Sequence, residues 1–146
     1  MADTRCQLEC EDWVRQVWMR ETFGQPFFRE RVKLRSGGVF DFDAVSADRS
    51  IVVTISTSGA VTSTGKNAVG KLMKLRSDML FLLLAEPARA LMVLTETDMH
   101  DAILKEKAGG RVPPEIEFYC APLPTDLAER LRAAKARSAA EIRRLT

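Results

Sequence analysis

Gly37-Gly38-Val39-Phe40-Asp41-Phe42-Asp43-Ala44-Val45 and, one turn later, Ile51-Val52-Val53-Thr54-Ile55-Ser56-Thr57-Ser58 decide how this chain reads. Ser36-Gly37-Gly38 is a turn signal, and Ala47-Asp48-Arg49-Ser50 is another. Between them, residues Val39 to Ser46 alternate apolar and polar, the mark of a strand with one covered face. Strict alternation places Val39, Asp41 and Asp43 on one side and Phe40, Phe42 and Ala44 on the other. Ile51 to Thr57 is β-branched almost throughout, which suits a buried central strand. A carboxylate inside so apolar a strand as the first is costly unless it is paired or ligating. Asp43 is therefore the leading candidate for a site role.

Working outward, Trp13, Val14, Val17 and Trp18 recur at helical spacing, predicting a helix over Gln7 to Thr22 that Gly24 and Pro26 stop. Phe27 to Lys33 is ambiguous, with a strand expected over Arg31 to Arg35. After the strand pair, Ser58 to Thr64 is small and polar, a loop. A long helix follows from Gly65 to Ala85, ending before Pro87. Arg89 to Thr95 reads as a buried strand, Asp98 to Lys107 as a short helix, and Ile116 to Ala121 as a short strand. Thr125 and Asp126 can cap a last helix running to Leu145. The early strands form a meander and the later ones need helical crossovers. The expected fold is α/β, a mixed central β-sheet of about five strands flanked by helices.

The length of 146 residues fits one domain over 1–146, and 46% apolar with 29% charged residues is an ordinary globular balance. A formal net charge of +2 does not by itself argue for nucleic acid. Its distribution says more. No acid occurs between Asp48 and Asp78, while Arg49, Lys66, Lys71, Lys74 and Arg76 fall inside that stretch. The N-terminal residues lack an apolar signal core and the longest apolar run, Met79 to Ala85, is far short of a span. The expectation is a cytoplasmic protein with no membrane segment. Cys6, Cys10 and Cys120 read as free thiols, and a single histidine, His100, argues against a zinc site.

Metal-dependent phosphodiester cleavage needs acids that hold a hard cation and a group that positions water. One efficient arrangement sets an acid on one strand and, on its neighbour, an acid and a lysine two residues apart, which the pleat points to one face. Asp43, then Thr54 and Ser56, have this spacing. The two strands and the order of elements around them resemble the PD-(D/E)xK nuclease superfamily, the restriction-endonuclease-like fold. The resemblance implies that Asp43 occupies the metal-binding aspartate position. It puts Thr54 where that family has Glu or Asp and Ser56 where it has Lys. Neutral hydroxyls are weak magnesium ligands beside carboxylates. Lys66 or Lys71, on the next helix, could replace the lysine, and Glu11 or Glu9, on the first helix, could supply a second metal-binding carboxylate. Asp41 could also ligate. If the chain is active, Mg2+ is the implied cofactor.

On a helical wheel, Lys66, Lys71, Lys74 and Asp78 share one arc and Ala68, Val69, Leu72, Leu75 and Met79 the other. Lys66, Lys71 and Lys74 would lie beside the site and could neutralise phosphates. A plain amphipathic surface helix explains the same pattern. Arg76 falls within the apolar arc. Gly65-Lys66 before a helix suggests a phosphate loop, but the glycine spacing is wrong and Asn67 replaces Ser/Thr. Three readings result. The first is a degenerate nuclease-like domain that binds DNA, RNA or a protein partner with little or no cleavage. The second is an active nuclease with relocated residues. The third is a structural protein or homodimer without nucleic-acid contact, favoured by an exposed apolar face on the first or last helix.

Overall fold

A computed structural model describes residues 4–61 and 68–145 of the chain. The first helix is continuous but changes pitch: α1 (Arg5–Trp13), a π-helical stretch (Val14–Trp18) and α2 (Met19–Phe23). Gly24 ends it at φ +72°, donating its N–H to the Arg20 carbonyl, the left-handed stop that a glycine adopts without strain. Strands β1 (Phe27–Lys33), β2 (Val39–Ser46) and β3 (Ile51–Ser56) follow, then α3 (Val69–Ala85), β4 (Arg89–Leu94), α4 (Thr97–Ala108), β5 (Ile116–Cys120) and α5 (Thr125–Leu145). Among the described residues no helix is long and apolar enough to cross a membrane.

The sheet order is β1-β2-β3-β4-β5. The first two pairings are antiparallel and the last two parallel, so the expected mixed α/β sheet is present. β1 begins at Phe27, earlier than the sequence led us to expect. Its charged residues disguise it because it is an edge strand with much of its length exposed. α3 begins at Val69. The expected start at Gly65 falls outside the described residues.

Each sheet face has its own core. On one, Leu75, Met79 and Leu82 of α3 and Met99 and Ile103 of α4 cover Phe42, Val52 and Met92. On the other, Val14 and Met19 cover Ala44, Val53, Ile55 and Leu91, with Trp13 and Trp18 packed at the margin. A third cluster joins Cys6 and Cys10 of α1 to Leu127 and Leu131 of α5. The first and last helices thus cover part of each other's apolar surface, while Leu8, Val17 and Ile142 stay exposed.

β2 is not a regular strand. Phe28 pairs with Val45 and Glu30 with Phe42, so Arg29 alone faces both Asp43 and Ala44. This bulge reverses the alternation: Phe42 and Ala44, expected on one face, lie in opposite cores. Asp41 does not line the pocket that Asp43 enters. Asp41 is exposed and meets Arg31 across the ladder, Nε to Oδ1 2.9 Å, so the candidate ligand Asp41 is engaged elsewhere.

Candidate functional site

The bulge aims Asp43 along the sheet. Its Oδ2 accepts the backbone N–H of Ile55 at 2.7 Å, so a side chain supplies an acceptor for a β3 amide beyond the Ala44–Val53 pair. Arg15, buried in the π-helical stretch, donates from Nη1 to the Asp43 carbonyl at 3.1 Å and forms an ion pair with Asp12. The helix thereby grips the irregular point of β2 from the opposite side.

A pocket of about 220 Å3 opens beside Asp43. α1 contributes Gln7 and Glu11. The end of β3 and the chain beyond it contribute Ser56, Thr57 and Ser58. α3 contributes Lys71, Lys74 and Asp78. The candidates Asp43, Glu11, Ser56, Lys71 and Lys74 are brought together here. Thr54 is not. It is 3% exposed, does not line the pocket, and its Oγ1 has no hydrogen-bond partner among the described residues. The cause is β3 itself, which is packed on both faces, so its alternate side chains enter the α3-side core. Lys66 lies outside the described residues. Arg76, whose partner the wheel left open, reaches Glu106 of α4 at 3.2 Å.

Three acids feel one another in this pocket. Burial pushes the Glu11 carboxyl up to about 7, and the Asp43 charge adds to it, while Arg29 and Arg15 oppose. Burial also raises Asp43. The Ile55 amide, Lys74 and Arg29 hold it down, and the Asp78 charge pushes it up further. Asp78 is raised by burial and restrained by Lys74, whose Nζ lies 3.1 Å from both carboxylate oxygens. Sequence reasoning gave Asp78 no role. The four-residue step from Lys74 was the available signal, since such pairs meet on one helix face. Arg15 left no comparable trace.

Among the described residues, no group of three or more Asp, Glu, His or Cys side chains converges to hold a cation. Asp78 is held by Lys74, which leaves Glu11 and Asp43. The chain after β3 is held from the far side: Lys135 of α5 donates to the Thr57 carbonyl and sits 3.2 Å from Glu96. Ser56 Oγ accepts the Ser58 N–H at 3.2 Å, a local turn bond.

No family model, no curated protein and no solved structure matches this chain.

Proposed function

We propose that the chain is a nuclease-like domain that binds nucleic acid at the Asp43 pocket with little or no phosphodiester cleavage. One observation carries the reading. Of the two positions that would supply an acid and a lysine beside Asp43, Thr54 is sealed in the core and Ser56 is spent on a turn. Lys71 and Lys74 still stand on the pocket wall, where their charge suits a phosphate. The carboxylates oppose an anion, so affinity falls as Glu11 ionises near neutral pH. The test incubates purified protein with labelled single- and double-stranded DNA and RNA, with Mg2+ or Mn2+, and follows anisotropy and strand scission together. Salt-sensitive binding that Lys71→Glu and Lys74→Glu weaken, without scission, is expected. Scission that Asp43→Ala abolishes overturns the reading, as does failure to bind any of the four nucleic acids.

A second reading, an active nuclease with relocated residues, draws on the company Asp43 keeps. Glu11, Asp78, Lys71 and Lys74 reach its pocket from two helices. Metal-dependent scission lost in both Asp43→Ala and Lys74→Met would establish it.

A further inference from the structure

α3 is apolar on the side turned away from the sheet as well as on the side that packs against it. Val69, Met73 and Leu80 are 65%, 56% and 53% exposed. Their steps of four and seven residues keep them in one narrow stripe, the kind of seam along which two helices pair. Leu75, Met79 and Leu82 already fill the opposite side, and a helix apolar on both sides is normally covered on both. At the start of the stripe a hollow of about 250 Å3 lies between α3 and α4, lined by Val69, Leu72, Met99 and Ala102. Farther along, Arg76 reaches Glu106, so α3 and α4 run side by side in the same direction. Their charges are sorted by end. Asp98 sits at the hollow, where it accepts the Ala60 N–H at 3.0 Å. Exposed Asp101 follows on the side of α4 turned away from the buried Ile103. At the other end Arg76 and Arg111 flank Glu106, at 3.2 and 4.0 Å.

We infer that this face is where two copies of the chain dock, α3 against α3 and antiparallel, about a two-fold axis. Leu80 stands eleven residues, about 16 Å, beyond Val69 at the hollow. Reversal of direction therefore sets the Leu80 of each copy over the hollow of the other, with Met73 between. The same reversal brings the acidic end of each copy, Asp98 and Asp101, to the basic end of the other, Arg76 and Arg111. Parallel docking would set like charges together. A surface that complements itself under a two-fold is what an isologous interface requires. A wholly acidic or wholly basic partner would be matched at one end and repelled at the other. Val69, Met73 and Leu80, with Val61 beside the hollow, expose on the order of 400 Å2 of apolar surface, close to the apolar share of the roughly 800 Å2 that each partner gives to a stable interface. The docking leaves the Asp43 pocket open, because Lys71 and Lys74 stand on the flank of α3 away from α4. It is thus independent of the nucleic-acid reading.

Sedimentation velocity of the full chain across a concentration series tests this. A dimer of twice the 16.3 kDa chain mass is expected, dissociating in about the micromolar range. Met73→Glu and Leu80→Glu each bury charge in the seam from both copies and raise the dissociation constant about thirtyfold or more. Both side chains are exposed in a single copy, so the circular dichroism of the dilute monomer stays that of the parent. Asp101→Lys and Arg111→Glu, each alone, weaken the homodimer by about tenfold. An equimolar mixture of those two proteins associates more tightly than either by itself, because their altered ends meet as opposite charges again. A chain that stays monomeric up to about 1 mM overturns the proposal. A dimer that both Met73→Glu and Leu80→Glu leave intact overturns it as well. A mixture that associates no more tightly than its components removes the antiparallel arrangement and the proposal with it.

Discussion

Replacing Glu11 by glutamine should stabilise the protein above neutral pH and do nothing in acid. The Glu11 carboxyl ordinarily titrates at 4.5, and burial, then the Asp43 charge, moves it to about 7. A folded-state value above the unfolded one means that the folded chain binds the proton more tightly. Stability from this group is therefore complete below about pH 4.5 and is lost as pH rises through about 7. The displacement corresponds to about 3 kcal/mol at 1.36 kcal/mol per tenfold. Solvent at the pocket mouth screens part of it, leaving about 1–2 kcal/mol. Glutamine has nearly the same shape and no charge, so it escapes the penalty. At pH 8 the Glu11→Gln protein should melt higher by roughly 2–8 °C, given about 2–4 °C per kcal/mol at this chain length. At pH 4 the two melting curves should coincide. Thermal and urea denaturation across that range is read as the difference between the two proteins, which contains the Glu11 titration together with its coupling to the Asp43 charge. A difference that does not change with pH, or a Glu11→Gln protein less stable at pH 8, would refute the buried, charge-opposed placement of Glu11.

Thr54→Val keeps the shape of the side chain and removes a buried hydroxyl without a partner, so urea denaturation should show a gain of about 1 kcal/mol, with oligonucleotide affinity unchanged. A loss of stability would reveal a partner for that hydroxyl. Lys74→Gln leaves Asp78 buried without its cation; stability at pH 7 should fall by about 1–3 kcal/mol and recover in acid as Asp78 takes up a proton. Carboxyl carbon NMR should show Asp78 titrating higher in that variant than in the parent. An unchanged titration would mean that Lys74 does not hold it.

The strand pair was legible because two turn signals bracket each run and β-branched residues fill the second. The helix after it was legible from its two arcs, down to Lys71 and Lys74 sharing the site's side. Glu11 was reached by position on the first helix. The rest was hidden for identifiable reasons. Val39 to Ser46 reads as an alternating strand, and the one trace of the irregularity opposite Arg29 is the adjacent apolar pair Ala44-Val45, which shifts the phase of the pattern. That irregularity alone divides Phe42 from Ala44. Thr54 looked like a motif position because period two puts it level with Ser56. The motif pattern says nothing about depth, and β3 is covered on both faces. Phe27 to Lys33 did not look like a strand because charge on an edge strand serves to keep other chains away, not to build a core.

The bulge in β2 has a consequence for how this site can be made or lost. Regular pairing of β1 and β2 needs one residue fewer than the chain supplies between Phe42 and Val45. Were Ala44 absent, Asp43 would inherit its place opposite Val53, facing Val14 and Ile55 in an apolar core. No substitution would be involved, and the composition of the strand would hardly change. The pocket is thus encoded by a length as much as by a residue type. Insertions and deletions in this strand should move a lineage between a plain sheet and a sheet bearing a site more readily than point changes do.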